Sequence, residues 1–255
     1  MADRPRERKV KILVVNVNTT ESMTDAIAAS ARAVASPGTE IVGLTPTFGA
    51  ESVEGNFESY FAAVGVMDAV TRYEGSYDAV VQAGFGEHGR EGLQELCEVP
   101  VVDITEAAGH VASLLGHKYS VVTTLDRTVP LIEDRLKLAG LDARCASVRS
   151  SGMSVLELEE RPKDAVKAIV AEAELAVTHD GAEVICLGCG GMAGLDEAVA
   201  AATGVPVVDG VTAAVKLAEA LVGLGLTTSK TRTFAAPRQK RVSGWPLSPG
   251  TGPVK

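Results

Sequence analysis

The residues best suited to chemistry in this 255-residue chain sit where short apolar runs end. Cys189 closes the run EVICLG and precedes a Gly-Gly-Met turn that leads towards a helical segment. Backbone N–H groups at such a turn favour a thiolate, so the thiol is expected below its ordinary pKa of about 8.5. Cys186, three residues earlier, falls on the opposite strand face and reads as a small core residue. Asn16, Asn18, Thr19 and Thr20 follow the first apolar run. One of the last three must cap the next helix, and the others can hold a carboxylate or ring carbonyl. Thr123 and Thr124 end another such run and suit the same two roles. Glu87 and His88 follow a Gly84-Phe85-Gly86 turn, where a Glu-His pair ordinarily reads as solvated loop and otherwise as an acid/base.

Other chemistries find little support. Cys186 and Cys189 form a CxxC, but Cys97 and Cys145 supply no second pair, so neither a zinc site nor a redox pair is well supported. His110, His117 and His179 have no ligand spacing. There is no HExxH, no Ser-His-Asp arrangement, no Walker sequence and no dinucleotide fingerprint. No metal and no cofactor are expected.

An internal repeat says how these segments must meet. Tyr77–Ala112 and Gly181–Ala218 each run through a strand, a glycine-rich turn, a helix, VPVVD and a second helix. Gly84 lies 16 residues before Pro100, and Cys189 lies 17 before Pro206, so Gly84 is the counterpart of Cys189. A weaker likeness links ILVVNVNTT (12–20) with SVVTTLDRT (120–128). Two similar lobes would bring equivalent strand-to-helix turns together, and ligands of open α/β sheets lie beyond the carboxyl ends of the strands. A cleft between the lobes, lined by both turns, is therefore expected.

The elements that would carry these turns alternate regularly. Strands are expected at 10–16, 40–44, 78–83, 99–104, 119–124, 143–148, 183–188 and 205–209. Helices are expected at 21–34, 57–72, 90–97, 106–115, 129–139, 163–179, 195–202 and 212–224. Solid apolar strands alternating with amphipathic segments indicate an α/β fold of two pseudo-symmetric lobes, each a parallel sheet flanked by helices. One lobe would take 10–116 plus 208–227 and the other 117–207. Residues 1–9 read as a flexible N-terminus. The segment 228–255, with six Lys/Arg, no acid and many Pro, Gly and Ser, reads as a flexible basic tail or an arm for a neighbouring subunit.

A net charge of −9 argues against nucleic acid as a partner, and no apolar stretch approaches the roughly 20 residues of a membrane span. With no export signal at the N-terminus, a cytoplasmic protein with reduced cysteines is expected.

NVNTTESM resembles the NPNTT segment of the hydantoin and allantoin racemases, within the Asp/Glu/hydantoin racemase superfamily. SVVTTLDRTVP, DGAEVICLGCGGM and GVPVVDGVTAAV resemble further blocks of that family in the same order, over roughly residues 10–225. The resemblance implies two lobes, no cofactor, a homo-oligomer, and two cysteines facing the substrate α-carbon from opposite sides. The second family cysteine maps onto Cys189. At the first the chain has Gly84, and a valine replaces the proline of NPNTT. The expected activity is proton transfer at the α-carbon of a hydantoin- or allantoin-like carbonyl compound through an enolate. Cys189 would be the acid/base, the amides of Gly84–Gly86 and Gly190–Gly191 an oxyanion hole, and Asn18, Thr19, Thr123 and Thr124 anchors. Glu87 or His88 would serve the face that lacks a thiol. The arylmalonate decarboxylases share the glycine/cysteine pairing, so a one-thiol lyase is the alternative. A non-catalytic binding form, or an engineered glycine at position 84, is also compatible.

Overall fold

The computed structural model describes residues 9–240, and both halves of the repeat fold alike. In the first, β1 (Val10–Val15), β2 (Thr39–Leu44), β3 (Ala79–Gln82) and β4 (Val101–Asp103) form a parallel sheet ordered β2-β1-β3-β4. In the second, β5 (Tyr119–Thr123), β6 (Cys145–Ser150), β7 (Val184–Leu187) and β8 (Val207–Asp209) form a parallel sheet ordered β6-β5-β7-β8. Every residue of β3, β5 and β7 is buried, as expected for strands covered on both faces. Each expected strand and helix is present, with ends shifted by one or two residues. The two-lobed α/β architecture read from the sequence is therefore the observed one.

The helices of the first half are α1 (Glu21–Val34), α2 (Asn56–Thr71), α3 (Arg90–Leu96) and α4 (Ile104–Leu115). Those of the second are α5 (Val129–Leu138), α6 (Val155–Glu160), α7 (Pro162–Thr178), α8 (Asp196–Thr203) and α9 (Gly210–Gly223). Helices α2 and α3 cover one face of the first sheet, and α7 and α8 cover one face of the second. The two remaining faces look towards each other, and here the halves exchange helices. Helix α4 leaves the first sheet and packs on β7, β8 and β5, whereas α9 leaves the second and packs on β3, β4 and β1. The two helices also pack together, so one continuous core runs from Ile12 and Val81 through Ala108 and Val215 to Val121 and Cys186.

The VPVVD repeat explains this junction. Asp103 accepts hydrogen bonds from the N–H groups of Thr105 (2.8 Å) and Glu106 (2.9 Å), which caps α4. Asp209 does the same for Val211 (2.6 Å) and Thr212 (3.0 Å) at the start of α9. The first turns of the two helices then abut. A Cβ at Gly210 would lie 2.7 Å from the Ile104 carbonyl oxygen, so only glycine permits this approach.

Two boundaries differ from the sequence reading. Strand β8 pairs with β7 through Val207, Val208 and Asp209, so the chain returns to the first lobe only after Asp209, not at 208. The start of the basic tail is fixed rather than loose. Thr228 bonds Glu98 and Val99 (3.0 and 2.7 Å), and Lys230 Nζ donates to the carbonyls of Gln94 (2.6 Å) and Glu95 (3.1 Å). That lysine satisfies carbonyls at the end of α3, which a helix cannot satisfy by itself. The N-terminal segment, residue 9 aside, and the tail beyond residue 240 lie outside the described residues. Among the described residues no helix is long and apolar enough to cross a membrane.

Candidate active site

The turns after β3 and β7 meet at the carboxyl ends of the two sheets. Sheet register makes them equivalents without reference to the sequence repeat. Gln82 pairs with Asp103, Leu187 pairs with Asp209, and two residues beyond Gln82 and Leu187 stand Gly84 and Cys189. The turns touch, since a Cβ at Gly190 would come within 2.8 Å of the Ala83 carbonyl oxygen. Between them lies a pocket lined by residues of both turns.

Most of the expected site residues line this pocket: Asn18, Gly84, Phe85, His88, Thr123, Thr124, Cys189, Gly190 and Gly191. Thr19, Gly86 and Glu87 are not part of the lining. The amide of Thr19 is bonded to the Ala50 carbonyl (3.0 Å). The Gly86 N–H donates to Thr105 Oγ1 (2.8 Å), which takes it out of an oxyanion hole. The Gly191 N–H points at Cys189 Sγ (3.4 Å). The amides of Gly84 and Gly190, one from each turn, have no acceptor among the described residues.

The sequence left the walls of the pocket unread. Val17 follows β1, Met23 and Ile27 come from α1, and Val53 comes from the loop before α2. Val155 comes from α6, an element with no counterpart among the expected helices. Its signal is nonetheless in the sequence, because SVLE (154–157) is a capping box. The Ser154 hydroxyl accepts from the Glu157 N–H, and the Glu157 carboxylate accepts from the Ser154 N–H (2.9 Å). The Val155 N–H donates across the mouth to Glu54 Oε1 (2.8 Å), tying one lobe to the other above the pocket.

Anchoring capacity differs among the polar residues. Asn18 Oδ1 accepts from the side chain of Asn16 (2.8 Å) and from the Thr20 N–H (3.0 Å), which builds the turn. Thr123 spends its hydroxyl on the Gly188 carbonyl (3.0 Å) and so joins the two central strand ends of the second lobe. The Thr124 side chain is buried and its hydroxyl bonds no described residue, so it keeps full capacity for a ligand.

Cys189 is partly buried and unpaired, and its acidity runs against the sequence expectation. Burial pushes the thiol up to about 11; the Gly191 amide opposes this, and the charge of Glu54 adds to it. The resting group is therefore a thiol at neutral pH, because desolvation outweighs a single amide dipole.

Glu87 and His88 separate completely. Glu87 turns away from the pocket, accepting from Arg135 Nη1 (3.0 Å) and from the Gly89 N–H (3.1 Å). Burial and the nearby Glu91 charge hold its carboxyl above the usual range, against the pull of Arg135. His88 is buried rather than solvated, only 6% exposed, and lines the pocket. Its Nδ1 lies 3.0 Å from Ser59 Oγ of α2, and the Ser59 hydroxyl also bonds the Glu87 carbonyl. Burial lowers His88 to about 4, over the opposing pull of the Phe85 carbonyl and the Asp103 charge. It is neutral at physiological pH.

Behind the first turn stands an ion-pair cluster that no sequence motif announced. Arg135 of α5 is 1% exposed and reaches from the second lobe into the first. It meets Glu87 (3.0 Å), Glu91 (2.7 Å), Asp103 (2.9 Å) and Glu106 (2.8 Å). The turn bearing Gly84 and His88 is thus held from across the lobe junction.

Residues 12–218 match the family model described as Asp/Glu/Hydantoin racemase. The chain belongs to that family. It is accordingly an isomerase of the racemase type. The chain is 42% identical to a hydantoin racemase of Rhizobium meliloti over 234 residues, 91% of this chain and 97% of the relative. A crystal structure of allantoin racemase from Pseudomonas fluorescens superposes with a TM-score of 0.91 at 74% identity, covering 92% of this chain and all of that one. The allantoin racemase of Klebsiella pneumoniae gives a TM-score of 0.89 at 43% identity, covering 92% of this chain and 96% of that one. Among the described residues no cluster of His, Cys, Asp or Glu could hold a metal ion.

Proposed function

We propose that this racemase-family enzyme inverts the α-carbon of a small cyclic ureide, an allantoin- or 5-substituted-hydantoin-like molecule, by proton transfer through an enolate. The observation that carries the reading is the position of Cys189, a thiol on the wall of a pocket framed by the two equivalent turns. Removing the α-proton moves negative charge onto the adjacent carbonyl oxygen. The unengaged amides of Gly84 and Gly190 suit that oxygen, and preorganised donors of this kind are among the largest contributions to such barriers. Thr124 and Asn18 supply hydroxyl and amide groups to a ureide edge, and Val17, Met23, Ile27, Val53 and Val155 keep water from the carbanion. Cys189, held as a thiol, donates to the enolate from its own side. The similarity to allantoin racemases over 92% of the chain favours a ureide over an open-chain amino acid.

The test is proton NMR in D₂O, with one enantiomer of allantoin and, separately, of 5-benzylhydantoin, against an enzyme-free control. Loss of the α-proton signal together with inversion is expected. Cys189→Ser is expected to lower the rate by roughly 10²–10⁴, the worth of one acid/base group. Full activity in that variant would end the reading.

A further inference from the structure

Inversion of a tetrahedral carbon needs a proton acceptor on one face and a donor on the other, and the turn opposite Cys189 carries no side chain at Gly84. The space beside Gly84 is nevertheless filled. A Cβ there would lie 2.5 Å from His88 Cδ2, 2.4 Å from Val17 Cγ1 and 2.8 Å from Gln82 Nε2. His88 and Val17 both face the pocket. We propose that His88 is the proton-transfer residue on the Gly84 side, its imidazole standing in the volume that any side chain at position 84 would need. This rests on the ureide racemase reading given above.

Hydrogen bonding fixes the tautomer. The Ser59 hydroxyl has a single proton, and the Glu87 carbonyl it bonds can only accept. Ser59 Oγ therefore accepts from Nδ1–H at 3.0 Å, and Nε2 keeps the lone pair. The same bond sets the plane of the ring, so the base is oriented by a third group, the arrangement acid–base catalysis requires. Glu87 is excluded because Arg135 and the Gly89 amide hold its carboxylate outside the pocket. The protonation states are complementary, with burial keeping His88 a neutral imidazole and Cys189 a neutral thiol.

The step balances without a further reactant. His88 Nε2 takes the α-proton from one face, leaving an imidazolium and an enolate. The Cys189 S–H bond breaks as its proton forms the new C–H bond on the other face, leaving a thiolate. The imidazolium and thiolate then either return to the neutral pair by proton exchange through solvent or process the opposite enantiomer in reverse. The site thus holds one imidazole and one thiol rather than two thiols.

Four variants test this with allantoin and 5-benzylhydantoin as probes, racemisation being followed by circular dichroism and folding by thermal denaturation. His88→Asn keeps a polar group towards Ser59, and it should lose at least 100-fold in racemisation while retaining a cooperative thermal transition. His88→Ala should lose as much. Gly84→Cys, which forces a side chain against the ring, should fall at least tenfold. Gly84→Cys combined with His88→Ala vacates the ring and supplies a thiol, so it should run at least tenfold faster than His88→Ala alone. A purely structural role for His88 would not produce that rescue. Racemisation by His88→Asn within threefold of the unaltered enzyme would overturn the assignment. So would a folded double variant no faster than His88→Ala. An unaltered enzyme that racemises neither probe would instead overturn the ureide reading itself, and the assignment with it.

Discussion

Replacing Arg135 with Met should destabilise the protein far more than the loss of one surface charge. Met preserves most of the aliphatic stem, so little cavity is left and the change is chiefly electrostatic. Two of the four partners, Glu87 and Glu91, are about 40% exposed, and pairs with such groups contribute roughly 0–1 kcal/mol each. Asp103 is fully buried and Glu106 is 18% exposed, and stripping a buried carboxylate of its cation costs about 3–5 kcal/mol. Arg90 still reaches Asp103 (3.4 Å) and Glu106 (2.7 Å), which places the expected loss near the lower end, about 3 kcal/mol. For a chain of this length that corresponds to a fall in Tm of roughly 6–12 °C. Urea and thermal denaturation at pH 7 read it directly. Adding Asp103→Asn should recover part of the loss, because an amide can still cap α4 without leaving a charge unpaired. The gap between variant and parent should also narrow in acid, by the share that Glu91 contributes, at most about 1 kcal/mol. Burial pushes Glu91 up, but Arg90 and Arg135 together outweigh it and hold it at about 2. A depressed carboxylate stabilises above its unfolded value and loses that contribution as pH falls through the folded one. A loss under about 1 kcal/mol, against the 3–5 expected for a broken buried pair, would refute this account of the cluster, as would further destabilisation by Asp103→Asn.

Two other expectations concern the turns and the lobe junction. Alkylation of Cys189 by iodoacetamide should be slow at pH 7 and climb steadily to pH 10 with no plateau, because burial raises the thiol to about 11. An inflection between pH 6 and 8, followed by mass spectrometry of the Cys189 peptide, would mean an activated thiolate instead. Gly210→Ala should lower stability by about 1–3 kcal/mol, since its Cβ would meet the Ile104 carbonyl at 2.7 Å and backbone must move. Denaturation of that variant within 0.5 kcal/mol of the parent would mean that the α4–α9 junction yields without strain.

The fold was largely legible because two periodicities alternate without interruption, as in the runs ILVV and EVICL between amphipathic segments. The repeat also located Gly84 opposite Cys189, and sheet register places the same two residues as equivalents. What escaped the sequence depended on long-range contact. His88 reads as a solvated loop residue until α2, 29 positions earlier, brings Ser59 over it. Arg135 looks like one basic residue in the last turn of a surface helix, because its four acidic partners are scattered from Glu87 to Glu106. The amides expected to activate Cys189 were visible as Gly-Gly, but the burial that outweighs them belongs to the packed molecule. Helix α6 was the avoidable miss, since SVLE carries its capping signal locally.

The exchange of α4 and α9 also bears on how the protein emerges from the ribosome. The first sheet is complete once Asp103 has been made, yet the face that α9 will cover waits for residues 210–223. At a synthesis rate of roughly 5–20 residues per second, that face stays uncovered for roughly 6–24 seconds while the second half is translated. During this interval Ala79, Val81 and neighbouring side chains on β1 present an apolar surface to solvent or to a chaperone. Neither half can leave the ribosome as a finished domain, and a message truncated before codon 210 would yield a lobe with one side of its sheet bare.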